Sequence, residues 1–334
     1  MSGHGKFTSV SLLGSLRNSI SRFTSKATTP ADATPGIPAA NPLTLCTAAF
    51  STFVDFAAYY KSMEKVFKAQ RQYQMTLITG ADTFTAPGYC FPCAKHANFM
   101  IDYLYSSDEI VAGLKIPNWR ERVICPDCGL NNRIRASVQF LEETLGCKPT
   151  SAIYMSEQTT PLYHHLRAKY ANLVGSEYLD DRVGFGEVDA GSGLRNESIT
   201  KLSFADESFD FVLSFDVFEH IPEYHKALQE CFRVLKPGGR LLFTVPFRMD
   251  NQANLIRATI DAAGKVTHLL EPEYHGDPIN DAGCLCFYHF GWQLLDELRN
   301  CGFTSADAHI YWSDTLGYLG QHQALFCAVK TPLH

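Results

Sequence analysis

The chain has 334 residues, 46% of them hydrophobic, and a formal net charge of -6. That length suits two modest domains or one with additions. The acidic balance gives no support for a broad polyanion-binding surface, and no apolar run is long enough to predict a membrane-spanning helix. Eleven cysteines, an odd number, fit a reducing, cytoplasmic compartment better than a disulfide framework.

Residues 1–41 read as an N-terminal extension and linker. They are rich in Ser, Thr, Ala and Pro, carry no acid before Asp32, and place Phe7, Val10, Leu13, Leu16, Ile20 and Phe23 at roughly helical spacing. An organellar targeting peptide has this composition. So does a surface helix followed by a linker through Pro30, Pro35 and Pro38, the plainer expectation. Residues 42–77 predict a helical segment, with one long pattern over 43–74. Phe50, Phe53, Phe56, Tyr60, Met63 and Phe67 form its apolar stripe, a core face.

Residues 78–148 hold two C-x2-C pairs, Cys90 with Cys93 and Cys125 with Cys128. Two such pairs offer four thiolates at the spacing of two zinc knuckles, enough for a closed tetrahedral shell. Such a shell has no open position, so the Zn2+ is expected to be structural. Gly129 suits the turn that follows a knuckle. A helix is expected from Arg133 to Leu145, closed by Gly146.

From 149 to 334 strands and helices alternate. Strands are expected at Ser151–Met155, Leu173–Tyr178, Phe209–Phe215, Arg240–Val245, 303–312 and 322–329. Helices are expected after Thr160-Pro161, over 222–235 and over 291–301, with a turn at Lys236-Pro237-Gly238-Gly239. The alternation predicts an α/β, doubly wound, mostly parallel sheet. Residues 247–289 interrupt it. Ile256–Asp261 and Lys265–Leu270 read as a hairpin, and an insertion after a strand's C-terminal end is expected to form a lid over bound substrate.

Three motifs carry a resemblance: Leu202–Val212 (LSFADESFDFV), Asp216-Val217-Phe218-Glu219-His220-Ile221 and Arg233-Val234-Leu235-Lys236-Pro237-Gly238-Gly239. Over roughly 151–330 the chain resembles class I S-adenosylmethionine-dependent methyltransferases of the methyltransferase-11 type. Asn118-Trp119-Arg120-Glu121, Cys125–Arg133 and His289-Phe290-Gly291-Trp292 extend the likeness over 80–330. The wider likeness is to bacterial zinc-ribbon methyltransferases tied to glycan or natural-product pathways. It implies a seven-stranded sheet whose last strand is antiparallel, S-adenosylmethionine as cofactor, and O- or N-methylation of a small-molecule or saccharide acceptor.

Such a cofactor needs a carboxylate for its ribose at the end of the second strand, where Glu177 stands. Its adenine needs an apolar slot, bordered by Ser198 and Ile199. Its methionine end is to be met at the ends of the first and fourth strands, by Met155, Ser156, Glu157, Phe215 and Asp216. The usual Gly-x-Gly loop is replaced by Met155-Ser156-Glu157-Gln158, and Glu157 is placed to pair with the ammonium. Base candidates are His275 in the lid, His220 and His289. Tyr274, Tyr288, Tyr311 and Trp312 are candidate walls of the acceptor pocket. Two rival readings stand beside this one. An RNA methyltransferase would use Arg120, Arg122, Arg133 and Arg135, against the acidic total. A degenerate fold without catalysis would account for the missing glycine loop.

Overall fold

The computed structural model describes residues 43–107, 110–179, 183–277, 279 and 282–331. The expectations for 1–41, and for Pro278 in the lid, lie outside them.

Residues 43–74 do not form one helix. Thr47–Phe50 is a strand, β1, followed by α1 (Phe53–Ser62) and α2 (Glu64–Leu77). Pairing at a sheet edge overrides the local helical period here. Thr52 starts α1 by accepting from the Asp55 amide at 3.2 Å, as an N-cap threonine does.

The cysteine segment opens with a hairpin, β2 (Thr83–Cys90) and β3 (Lys95–Asp102), in register from Thr83↔Asp102 to Cys90↔Lys95. A short pair follows, β4 (Ile110–Val111) and β5 (Leu114–Lys115), then one turn of helix, α3 (Trp119–Arg122). The next helix, α4 (Asn132–Gln139), runs on as a π-turn over Phe140–Thr144. Asn131 caps α4 through the Ile134 amide at 2.9 Å. Gly146, at φ +68°, closes it where expected, since only glycine adopts that backbone freely.

The remaining elements, in chain order, begin with β6 (Ile153–Met155), α5 (Pro161–Lys169), β7 (Leu173–Gly175), β8 (Phe209–Phe215), α6 (Tyr224–Val234) and β9 (Leu235–Thr244). The insertion contributes β10 (Leu255–Ile256), β11 (Ala258–Ile260), β12 (Val266–His268), β13 (Tyr274–His275), β14 (Cys284–Leu285) and β15 (Tyr288–His289). The chain closes with α7 (Gln293–Asn300), β16 (Ser305–Ser313) and β17 (Tyr318–Val329). The expected turn at 236–239 is a correction. It belongs to β9, whose ladder with β8 begins at Phe209↔Leu235 and then shifts register.

Seven strands form one sheet in the order β1-β16-β17-β9-β8-β6-β7. The four from β9 to β7 are mutually parallel. The last strand, β17, is antiparallel to both neighbours, β9 and β16. The edge is filled by β1, antiparallel to β16. Beyond β7 the parallel pairing is reduced to one bridge, Glu177↔Asn196. Strand side chains alternate between the two faces. Leu241 and Phe243 therefore join one buried cluster while Leu242 joins the other. A third cluster, around Phe99, Trp119 and Cys125, fills the cysteine segment. The insertion is three small antiparallel pieces, β10 with β15, β11 with β12 and β13 with β14. The β11–β12 hairpin is the one expected from sequence.

Candidate active site

The carboxyl ends of β6, β7, β8 and β9 open into one cavity of about 2150 Å³, roofed by the insertion. It exceeds the few hundred to a thousand cubic ångströms common for small-ligand pockets, so it has room for a cofactor and an acceptor together. Ser156, Glu157, Glu177, Ser198, Ile199, Phe215 and Asp216 line it, as do His220, His275 and His289. Met155 does not: it is fully buried within β6, whose three residues all lie in the core. Of the four aromatic wall candidates only Tyr274 lines the cavity. Tyr288 donates to the Pro222 carbonyl at 2.8 Å, Trp312 to Gln74 at 3.0 Å, and Tyr311 is buried. Phe53, Phe56 and Tyr60, assigned to the core from sequence, pack in or against the main core cluster and also line the cavity.

At one end stand two carboxylates. Glu177 accepts from the Gln158 amide at 2.7 Å, the Thr159 amide at 2.9 Å and Thr159 Oγ1 at 2.8 Å, all on Oε1. It therefore holds the loop after β6 as well as facing the cavity. Glu157 has a buried Oε1 with no hydrogen-bond partner. Burial pushes its carboxyl up to about 7, against a hydrogen bond from Thr160. An orphaned buried acceptor of this kind costs free energy unless a donor or cation arrives. Gly175 lets the neighbouring strand pack tightly against the loop after β6. A Cβ on Gly175 would sit 2.7 Å from the Glu157 carbonyl and 2.3 Å from the Tyr163 ring.

Asp216, at φ +54°, is not a helix cap. Both its oxygens are gripped by Arg120 at 2.7 Å, and Thr244 Oγ1 donates to it at 2.9 Å. Arg133 lies 3.3 Å away and also binds Glu121. Although burial opposes ionisation, the two guanidiniums hold the Asp216 carboxyl well below its usual range. Arg120, Glu121 and Arg133 line the cavity; sequence reasoning assigned none of them to the site. The basic cluster that an RNA-binding surface would need is engaged internally. Arg122 pairs with Asp102 at 2.6 and 2.7 Å. Arg135, fully buried, donates to the Leu316 and Gly317 carbonyls at 2.8 and 2.9 Å and stacks 3.7 Å from the Phe99 ring.

The three histidines converge at the other end. His275 Nδ1 lies 3.1 Å from His220 Nε2, and the Nε2 atoms of His275 and His289 each lie 3.0 Å from Glu273 Oε1. Glu219 lies behind them with no exposed side-chain surface. The facing Glu219 carboxylate, and after it Glu273, push the His275 imidazole up to about 9, against burial. Neither glutamate had been given a role from sequence, although Glu219 stands in a quoted motif.

The four paired cysteines lie together away from this cavity. Cys90 and Cys128 sulfurs are 3.8 Å apart, as are those of Cys93 and Cys125, and all four fall within 4.8 Å. Sulfurs about 2.3 Å from one tetrahedral Zn2+ lie roughly 3.8 Å apart, so the set fits that ion. Both knuckles turn alike. Ala94, after Cys93, has φ +52°, and Gly129, after Cys128, has φ +71°.

Residues 161–243 match the family described as Methyltransferase domain. Among curated relatives, "Methyltransferase GfsG" of Streptomyces halstedii is 40% identical over 155 residues, covering 46% of each chain. A "Probable S-adenosylmethionine-dependent methyltransferase" of Mycolicibacterium smegmatis is 34% identical over 84 residues, 23% of this chain and 33% of that one. This chain thus spans less than half the length of either. The Burkholderia thailandensis 1,6-didemethyltoxoflavin-N1-methyltransferase, crystallised with its substrate and S-adenosylhomocysteine, is 18% identical. Its TM-score is 0.33, over 60% of this chain and 78% of that one. The motifs of β8, α6 and β9 fall inside the stretch that matches the methyltransferase-domain family.

Proposed function

We propose that the protein transfers the methyl group of S-adenosylmethionine to an oxygen or nitrogen of a small-molecule or saccharide acceptor. The observation that carries this is one cavity with two chemically different ends: the acid pair Glu157 and Glu177 at the sheet, and the His220, His275, His289 cluster under the lid. When bound, the cofactor supplies an electrophilic methyl on a sulfonium.

The orphaned Glu157 carboxylate pairs with the methionine ammonium, as Ser156 and Phe215 close around that end. Asp216 belongs to the same wall but acts through Arg120 and Arg133, whose remaining donors suit the methionine carboxylate. Glu177 keeps its second oxygen for the ribose hydroxyls, and Ser198 and Ile199 border the adenine. The lid, residues 247–289, holds the acceptor in line with the sulfonium. Alignment of this kind supplies much of the rate in a displacement. The histidine cluster receives the acceptor's proton, with His275 at its centre and His220 and His289 as its neighbours.

The cysteine segment, 78–148, binds one structural Zn2+ through Cys90, Cys93, Cys125 and Cys128. Its role is to place α3 and so Arg120, not to bind nucleic acid. Eleven unpaired cysteines support a reducing, cytoplasmic setting, and no helix among the described residues is long and apolar enough to cross a membrane.

The test is calorimetry of the purified chain with S-adenosylmethionine and S-adenosylhomocysteine, followed by transfer of labelled methyl to a panel of hydroxylated small molecules and sugars. Binding of both cofactor forms with methylation of a panel member supports the reading. Absence of any cofactor binding sinks it.

A further inference from the structure

Three lone pairs converge under the lid with no proton assigned between them. The ring atoms can be followed one by one. His220 Nδ1 lies 2.9 Å from the Leu285 carbonyl. A carbonyl only accepts, so that nitrogen carries the hydrogen, and a neutral His220 presents a bare Nε2. His275 Nε2 lies 3.0 Å from the Glu273 carboxylate and carries its hydrogen by the same reasoning, so a neutral His275 presents a bare Nδ1. These two bare nitrogens face each other at 3.1 Å. The third group is Glu219, whose Oε1 lies 3.5 Å from His275 Nδ1 and 3.7 Å from His220 Nε2.

The Glu219 carboxylate is the independent sign that something is missing. Its side chain has no exposed surface, and neither oxygen has a hydrogen-bond partner. A buried carboxylate is retained at such cost when a cation compensates it. The separations fit one. Ligand atoms about 2.0–2.1 Å from a shared metal lie roughly 3.0 Å apart on an octahedral edge and about 3.4 Å apart on a tetrahedral one. Of the three observed separations, 3.1 Å between the histidines lies within that range, and the 3.5 and 3.7 Å to Glu219 lie just above it, so Glu219 would close in slightly on an ion. The outer partners fit as well. Each histidine is oriented through its other nitrogen, one by a backbone carbonyl and one by a carboxylate, the pattern that fixes metal-ligating imidazoles.

We infer that Glu219, His220 and His275 form a binding site for one divalent first-row transition cation, distinct from the four-cysteine site, with its open positions toward the acceptor end of the cavity. Two imidazoles and one carboxylate on one face are a donor set for such ions. His220 and His275 line the cavity while Glu219 lies behind them, so a hydroxyl or carboxylate oxygen of the acceptor is the ligand class that would complete the sphere. The inference deepens the proposed function: activation of the acceptor then passes from a bare imidazole to the cation that His275 helps to hold.

The experiment uses the full chain, without an affinity tag, its cysteine site filled with one equivalent of Zn2+, and titrates Co2+ into it. A second equivalent with visible ligand-field bands and no thiolate charge-transfer band is expected. Glu219→Gln and His275→Ala should each weaken that event at least about 10-fold, the smallest loss expected even for an outer partner of a metal site. Retained zinc and unchanged S-adenosylmethionine binding in both variants show that they fold. No second event in the wild-type chain, or equal Co2+ affinity in both folded variants, overturns the site and leaves a proton on His275 as its occupant. Metal uptake is read without turnover, so loss of cofactor binding with Co2+ uptake intact would remove the proposed function and not this site.

Discussion

Arg120 and Asp216 are joined through both oxygens at 2.7 Å, across 96 positions of sequence. One comes from the short helix after the cysteine hairpin, the other from just beyond the carboxyl end of β8. The pair ties the cysteine segment to the rim of the cavity, and Arg133 and Thr244 complete the enclosure.

Asp216→Asn keeps the shape and removes the charge, leaving the two guanidiniums with Glu121 as their one shared carboxylate. Breaking a buried pair this way costs several kcal/mol. Because 28% and 19% of the two side chains stay accessible, the expected loss is about 2–4 kcal/mol, below the full buried range. Urea unfolding measures it, and a loss under about 1 kcal/mol would put the pair with ordinary surface bridges.

Cys125→Ser removes one of the four sulfurs proposed to hold a structural Zn2+. About one equivalent of metal is expected in the parent chain and little in the variant, with proteolysis opening the segment 78–148 before the sheet. Metal retained at parental content would show that the four sulfurs do not share an ion.

Much of this was legible in sequence where the signal is local. The C-x2-C spacing announced four convergent sulfurs because each pair is one tight turn. Phe209–Phe215 was readable as a buried strand because Phe211, Leu213 and Phe215 fall on one face and Val212 on the other, the pattern of alternating side chains in a strand. Thr47–Phe50 was not, since its strand character comes only from pairing with β16. Nor were Glu219 and Glu273: His220 and His275 stand one and two positions from them, but the contacts that gather the cluster run to His275 and His289, 56 and 16 positions away. Arg120 and Arg133 were read as a surface cluster for the same reason: their partner Asp216 is remote.

Glu177→Ala removes the acid assigned to the ribose and also the acceptor of three bonds from the loop after β6. Cofactor affinity should fall by about 1.5–3 kcal/mol, the range for hydrogen bonds to a charged group. An unchanged dissociation constant by calorimetry would take Glu177 out of the cofactor site.

Glu157 gives cofactor binding a pH dependence of known sign. Burial raises its carboxyl to about 7 in the free protein, and the ionised form is the one that pairs with an ammonium. Affinity should therefore be highest above pH 7 and weaken as pH falls below it, by up to about tenfold per unit. Glu157→Gln should bind more weakly at pH 8 and lose the dependence between pH 6 and 8. A wild-type dissociation constant flat across that window would show that Glu157 does not meet the ammonium.

His275→Ala tests the acceptor end. His275 sits on β13, 3.1 Å from His220 and 3.0 Å from Glu273, so its removal disconnects both neighbours at once. Turnover should fall by roughly 10²–10⁴-fold, the usual contribution of a positioned acid or base. The fall is expected whether the ring takes the proton itself or holds a cation that activates the acceptor. Cofactor affinity should barely change, because the residue is proposed to act on the acceptor. His289→Ala should cost less, since that ring touches Glu273 but is not among the groups grouped with Glu219. Added imidazole separates the two roles: partial rescue of His275→Ala without added metal points to proton transfer, and rescue only with Co2+ or Zn2+ present points to ligation. Full activity in His275→Ala would remove the residue from the reaction and leave His220 as the candidate.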